Sequence, residues 1–280
     1  MELSSCGPFR TKLKYMTVTP AIRPAATAGL FYPADAAELR AMLRRLLTEN
    51  PADGPAPKAL IAPHAGYPYS GPIAARAYNR IATVAEMIQR VVLLGPAHRV
   101  AVRGLALPST DFFRTPLGDI PLDHAAIARI QDLPQIHCSD AAHQLEHSLE
   151  VHLPFLQVQL GHFTLVPLVV GWTQPAEVAQ VLETLWGGAE TLIVISSDLS
   201  HYHPYETARE LDEDTARRIE TLRVPIEDQR ACGAYPINGL LSVARARGLH
   251  ISRLDLRNSG DTAGTRGRVV GYGAWAFHGT

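Results

Sequence analysis

Residues 35–49 place Leu39, Met42, Leu43, Leu46 and Leu47 at three- and four-residue spacing, the periodicity of one buried helix face. Asp35 stands where an N-cap belongs, and Glu38 lies at capping-box distance. From there strands and helices alternate. Residues 58–62 read as a short apolar strand, 71–82 as an alanine-rich helix, 90–94 (RVVLL) as a buried strand and 102–107 as a further strand. Residues 123–130 read as a short helix capped by Asp123, and 146–160 as a helix kinked at Pro154. A strand at 163–170 precedes a helix at 175–186 with proline in its first turn. A buried strand comes next at 191–195 (TLIVI), then helices at 206–222 and 236–247 and strands at 250–256 and 268–277.

Continuous apolar strands alternating with helices mean a sheet covered on both faces. The expected fold class is α/β: a three-layer α/β/α sandwich around a mixed, mostly parallel central sheet, with the last strands as antiparallel additions. The loop-like stretch at 50–57 separates only one helix from the strands and helices after it, so it marks no domain boundary. One domain is expected over residues 21–280, after a flexible tail at 1–20. That tail carries Arg10, Lys12 and Lys14 but lacks the apolar segment of a secretory signal.

The 280 residues are 46% hydrophobic and 19% charged, an ordinary globular balance that excludes disordered and fibrous classes. With 26 basic against 27 acidic residues and no basic block, nothing favours nucleic acid. The longest apolar run, 164–171, holds Pro167 and falls well short of the roughly 18 residues that span a bilayer. Three cysteines (Cys6, Cys138 and Cys232) make no disulfide framework, so a reducing, cytoplasmic setting is expected.

The 12 histidines are the unusual total, and their positions carry the argument. Three buried-type strands each run into a polar cluster. Residues 58–62 lead to Pro63-His64-Ala65-Gly66-Tyr67, residues 90–94 to Gly95-Pro96-Ala97-His98-Arg99, and residues 191–195 to Ser196-Ser197-Asp198-Leu199-Ser200-His201. Ligands of open α/β sheets bind beyond the carboxyl ends of strands. Three parallel strands would bring His64, His98 and the Asp198/His201 pair to one edge. Gly66, Gly71 and Gly95 let the backbone turn tightly or approach a ligand there. For any single histidine, a loop residue bonded to backbone is the commoner reading. Three of them just past a strand make a shared site the better one.

Imidazole is the commonest protein metal ligand. Two imidazoles need a third donor, anionic or soft. Asp198 is one candidate. Cys232 is the other, placed just before a helix whose dipole favours a thiolate; its competing reading is a small buried apolar residue. The segment from His143 to His152 (HQLEHSLEVH) invites a zinc-protease reading and fails it, since HExxH needs histidines four apart with glutamate after the first. His147 and His152 are five apart, roughly 140° around a helix, and Gln144 comes after His143. His147 and Glu150, three apart, share a face, which makes His147 a pocket candidate and leaves His152 as structural. No GxSxG elbow, Walker loop or GxGxxG is present. Tyr67, Tyr69, Tyr202 and Tyr235 suit either a planar or peptide-like ligand or plain packing.

The segments Ala62–Gly71 (APHAGYPYSG), Leu94-Gly95-Pro96-Ala97-His98, Glu146–Phe155 (EHSLEVHLPF), Ser196–His201 (SSDLSH) and Cys232–Ile237 (CGAYPI) together resemble the Memo family. Asp111–Leu117 and Ala28–Tyr32 match the same pattern in order, so the likeness runs from about residue 23 to the C-terminus. Bacterial and archaeal members are called AmmeMemoRadiSam system protein B. The resemblance implies the fold of LigB-type class III extradiol dioxygenases, where two histidines and a glutamate hold ferrous iron, with cysteine replacing the glutamate in Memo proteins. It implies His64, His98 and Cys232 as metal ligands. It also implies His201 as an acid/base histidine with Asp198 beside it, and radical SAM and AMMECR-type proteins as partners. Iron is the expected metal, with copper or zinc as alternatives, because a soft thiolate shifts preference away from hard ions. Ring cleavage does not come with the fold.

Three functions are therefore open. The first is a metal-dependent redox enzyme, oxygenase-like, acting on an unknown small molecule or peptide, with Asp198, His201 and His147 lining its pocket. The second is a non-enzymatic metal-binding or scaffold protein. The third is a zinc hydrolase using Asp198 or Glu150 as base.

Overall fold

The computed structural model describes residues 20–279; Cys6 and all but the last residue of the expected tail lie outside them. The chain runs β1 (Ile22–Arg23), α1 (Ala36–Glu49), β2 (Ala59–Ala62), α2 (Tyr67–Asn79), β3 (Arg90–Pro96), β4 (Leu105–Leu107), β5 (Phe112–Thr115) and β6 (Gly118–Pro121). It continues through α3 (His124–Ala128), β7 (Ile136–Cys138), α4 (Asp140–Gln144), α5 (Leu153–Leu160), β8 (Thr164–Val170), α6 (Pro175–Leu185) and β9 (Thr191–Ser196). The last elements are β10 (His201–His203), α7 (Tyr205–Glu220), α8 (Ala234–Arg247), β11 (His250–Asn258) and β12 (Val269–His278).

The main sheet has the order β10-β12-β2-β9-β3-β8-β4-β7, with β11 added on β12. Its central strands β2, β9, β3 and β8 are parallel neighbours. β12 joins β2 antiparallel and β11 joins β12 antiparallel, the arrangement expected of the late strands. A second sheet, β1-β5-β6, stands apart from it.

Alternation along the strands divides two cores. Leu60, Ala62, Val91, Leu93 and Val194 face α1, α2 and α5, where Leu39, Leu43, Ile73, Tyr78 and Phe155 are buried. Ile61, Val92, Leu94, Ile193 and Ile195 face the other way, onto Val178, Leu182, Ile219, Leu240 and Leu241 of α6, α7 and α8. This is the three-layer α/β/α sandwich. Strands buried on both faces lose the period-two signature and become continuous apolar runs.

Local signals place most helix starts. Asp35 caps α1 by accepting from the amides of Ala37 and Glu38, both at 2.9 Å. Asp123 caps α3 through the Ala126 amide. Gln174 and Glu177 form a capping box at α6, behind Pro175.

One expected helix is broken. Residues 146–160 do not run on through a kink: a 3-10 turn at Glu150–His152 leads into α5, and Pro154 lies in the first turn of α5. Proline fits there because the first helical amides need no intrahelical partner. The helix expected at 71–82 begins earlier, at Tyr67, with Pro68 at its start.

Candidate metal centre

β2, β9 and β3 lie side by side and parallel, so the segments after them emerge together. β2 delivers His64, β3 delivers His98, and β9 ends on Ser196 before Ser197 and Asp198. The fourth contribution is the loop between α4 and the Glu150–His152 turn, which carries Glu146 and His147. It comes close because Gly95 has no side chain: a Cβ there would meet Ser148 Oγ at 2.8 Å and Leu149 Cδ2 at 2.9 Å. The close approach expected at Gly95 is thus to a protein loop. Ser148 Oγ also donates to the Pro96 carbonyl at 2.8 Å.

Three imidazoles converge. One ring nitrogen from each of His64, His98 and His147 falls within 4.8 Å of the others. The His98 and His147 rings stack with centroids 4.6 Å apart, and His64 stands edge-on to both, at 5.2 and 5.4 Å. Phe31 closes over the outer side of His147 at 4.7 Å.

Hydrogen bonds decide which nitrogens are free. Ser196 Oγ donates its one proton to the Ser148 carbonyl at 2.7 Å. It can then only accept from His64 Nδ1, 2.5 Å away, so His64 Nε2 carries the lone pair. Glu146 accepts from His98 Nδ1 at 2.9 Å, which leaves His98 Nε2 free in the same way. This is the outer arrangement of metal-binding histidines: one nitrogen donates to a fixed acceptor and the other is aimed at the ion. Burial would raise the Glu146 carboxyl. Hydrogen bonds from His98 and from the Ser148 amide outweigh it and hold the group down at about 2. Glu146 also accepts from the His98 amide at 2.6 Å and the His147 amide at 3.0 Å. His147 Nδ1 is buried without a hydrogen-bond partner. Burial, followed by His98, lowers His147 to about 4; burial, followed by the other imidazoles, pushes His64 well below its ordinary value. Neutral imidazole is the ligating form, so the donor set fits a metal ion.

Cys232 Sγ lies 3.4 Å from His64 Nε2, the nitrogen left free. It accepts from the Asp198 amide at 3.2 Å. Gly233 allows this approach, since a Cβ there would sit 2.4 Å from the Ser196 carbonyl oxygen. The thiolate expected from the start of α8 meets an opposing environment. Burial, followed by the Asp198 charge, pushes the thiol well above its usual value.

The other expected site residues spread around this group. Asp198 is buried and accepts from the His64 amide at 2.8 Å; burial, partly offset by that bond, pushes it up to about 7. His201 heads β10, half-buried, its ring edge-on to Tyr202 at 5.8 Å and outside the three-imidazole group; burial lowers it foremost. His147, expected to line the pocket, stands in that group. His152 is buried and bonded through Nδ1 to the Tyr78 hydroxyl at 2.7 Å. Tyr67 is buried and donates to the Val151 carbonyl at 2.8 Å, whereas Tyr69 and Tyr202 are exposed. Glu150 is not free to act as a base, because Arg23, Thr27, Tyr32 and the Ala26 amide fill its oxygens. Sequence reasoning missed Glu146 and Arg23. The Glu146-His147 pair beside an excluded HExxH was the one signal for Glu146, and none pointed to Arg23.

No described helix is long and apolar enough to cross a membrane. The family model for Memo-like protein matches residues 23–276. A MEMO1 family protein of Aquifex aeolicus is 37% identical over 266 residues, covering 90% of this chain and 97% of its own length. Those of Ignicoccus hospitalis and Aeropyrum pernix are 33% and 34% identical, covering 91% and 90% of this chain and 98% of their own lengths. The strand-end histidines, the loop that brings Glu146 to them and a match across nearly the whole chain lead to one conclusion: this chain belongs to the Memo family.

Proposed function

We propose that the chain is a metal-dependent redox protein, oxygenase-like, whose ion is held by His64, His98 and Cys232, with His147 as a further imidazole within reach. One observation carries this reading: His64 and His98 each have Nδ1 committed to a fixed acceptor, so each keeps Nε2 as its free ring nitrogen, and both rings belong to a group that can hold an ion. Iron is the favoured ion, and copper or zinc would also suit two imidazoles and a sulfur. When bound, the ion would supply a Lewis-acidic, redox-active centre. Glu146 keeps the His98 ring in its ligating orientation, and Ser196 does the same for His64. Asp198 holds the His64 backbone in place, and His201 is the group offered for proton transfer at its ring nitrogen. The substrate would be a small molecule or peptide reaching the strand ends, and the setting cytoplasmic.

A second reading is a metal-binding partner without turnover, docking radical SAM and AMMECR-type proteins. Leu30, Leu145 and Trp172 favour it: all three are more than half exposed, and the first two adjoin Phe31 and Glu146 of the site. Metal analysis after anaerobic purification separates the readings. Stoichiometric iron with oxygen consumption supports the first, and tight copper(I) without turnover supports the second. No bound metal in wild-type protein would overturn both.

A further inference from the structure

Next to the loop that carries Asp198 and His201, α7 and β11 line a pocket of about 540 Å³. Asp212 lies in its wall and is only 3% exposed. Its Oδ1 accepts from the Ser200 amide at 3.0 Å. The carboxylate packs against β12 because Gly271 has no side chain: a Cβ there would meet Oδ2 at 2.0 Å. The Ser200 hydroxyl is buried without a partner. If that hydroxyl turns to donate to Asp212, the carboxylate still lacks a counter-charge. Burial pushes its carboxyl up to about 6; Ser200 opposes this, and no basic side chain does. An aspartate buried this deeply is ordinarily paired.

The arginines of the pocket are committed elsewhere. Arg253 pairs with Glu213 and Glu220, Arg257 with Asp255, Arg209 with Glu206 and Arg217 with Asp214. Asp212 and, at the exposed rim, Glu210 are left without an ion pair among the described residues. Asp261, also at the rim, has the Tyr205 hydroxyl and the Asn258 amide as partners, both uncharged. These three carboxylates do not bring their oxygens within 4.8 Å of one another, so they make no site for one metal ion. Leu256 and the stem of Arg257 add apolar surface to the walls. Separated carboxylates beside apolar surface match a ligand whose positive charges are separated by methylenes.

We propose that this pocket binds a short linear polyamine, with Asp212 holding the inner ammonium and Glu210 the outer one. The inner ammonium supplies the missing counter-charge, and the methylenes lie along Leu256. A volume of this size is ordinary for a small-molecule site. None of His64, His98, His147 and Cys232 lines the pocket, so its ligand is independent of the ion. Ser200 is the residue before His201, so a ligand on Asp212 steadies the His201 loop through the Ser200 amide.

Isothermal titration calorimetry of the full chain with spermidine should show one saturable site. Butylamine, with a single ammonium, should bind at least about tenfold more weakly. Asp212→Asn keeps an acceptor for the Ser200 amide and removes the charge. It should weaken spermidine binding about tenfold or more, as loss of a buried charged partner does. Glu210→Gln, at an exposed carboxylate, should weaken it about threefold. Glu86→Gln, at an exposed carboxylate outside the pocket, should change nothing. Circular dichroism checks the folding of each variant. If Asp212→Asn does not fold, Glu210→Gln against Glu86→Gln, with spermidine against butylamine, decides the matter. Absence of saturable binding at millimolar spermidine, equal affinity for butylamine, or a folded Asp212→Asn that binds like wild type would overturn the assignment. Equal weakening by Glu86→Gln and Glu210→Gln would mean diffuse attraction to surface charge and would overturn it as well.

Discussion

Glu146 and Glu150 are four residues apart, both buried, and they serve opposite kinds of structure. Every oxygen of Glu150 is used. Oε1 accepts from the Thr27 amide at 2.9 Å, the Thr27 hydroxyl at 2.8 Å and the Tyr32 hydroxyl at 2.6 Å. Oε2 accepts from the Ala26 amide at 2.8 Å and pairs with Arg23. Arg23 in turn donates to the carbonyls of His143 at 3.0 Å and Glu146 at 2.7 Å. Among the side chains of this clamp only His143 Nδ1 is buried without a hydrogen bond. Around Glu146 the balance is different: His147 Nδ1 lies 3.4 Å from Glu146 Oε1 without a hydrogen bond, His152 Nε2 is buried without one, and burial followed by the Asp198 charge pushes the Cys232 thiol up. Native interiors rarely leave buried polar atoms unpaired. The saturated network is therefore framework, holding β1 against the loop, and the unsaturated one is where an ion belongs.

The sharpest way to break this contrast is Arg23→Ala. It leaves Glu150 buried without its counter-charge and frees two carbonyls of the loop that carries Glu146. The expected cost is about 3–5 kcal/mol, the range for breaking a buried pair on one side. Chemical denaturation of wild type and variant reads it from the shift in midpoint. A cost below about 1 kcal/mol would mean that the clamp is no framework, and the contrast would fail.

A smaller effect is expected at the other network. An ion that binds only the folded state stabilises it by about 2.7 kcal/mol at a hundredfold excess over Kd. Added ferrous or zinc ion should therefore raise the wild-type melting temperature. His64→Ala should melt near the metal-free wild type and show no rise. If His64→Ala responds to metal as the parent does, the ion is held elsewhere.

Acid should separate the two glutamates' surroundings further. Burial would raise Glu150, but Arg23 and the hydrogen bonds from Tyr32 and Ala26 outweigh it, so its carboxyl lies below the usual range. A depressed folded value means stability that is fully present above the unfolded pKa of about 4.3 and is lost as pH falls through the lower folded value. Glu150→Gln should be destabilised near neutral pH. Its deficit against wild type should shrink below about pH 4. A deficit that stays constant down to about pH 2 would show that the charge of Glu150 contributes nothing beyond its shape.

The contrast also explains what the sequence discloses. Buried strands show as apolar runs, and the polar residues after Ala62 and Pro96 stand out against them, so the sheet and the approach of His64 and His98 are legible. The four-residue link between Glu146 and Glu150 misleads, because its spacing reads as helix. The segment is instead a loop and a 3-10 turn whose shape depends on Arg23, over a hundred residues earlier. The β1-β5-β6 sheet escapes sequence reading as well, since two- to four-residue strands carry little periodic signal. Interactions between distant segments have no local pattern in sequence. Both the clamp and the Ser196–His64 bond belong to that class.

The smallest expected change in stability is the most informative about the ion. Cys232→Ser keeps nearly the same volume, leaves the Asp198 amide an acceptor, and should cost no more than about 1 kcal/mol. Its effect on metal should be large. A neutral hydroxyl is a poor replacement for a soft thiolate, so metal content should fall well below that of the parent. Cys138→Ser, at an exposed position on β7, is the control and should change neither quantity. Metal stoichiometry of all three proteins after anaerobic purification, with melting curves alongside, gives the answer. If Cys232→Ser retains full metal while His147→Ala loses it, the three imidazoles are the ligands and the sulfur is a neighbour. If both lose it, His147 and Cys232 act together on one ion. In each case the unsaturated network binds and the saturated one does not. Undiminished metal in both variants would place the ion outside this network altogether.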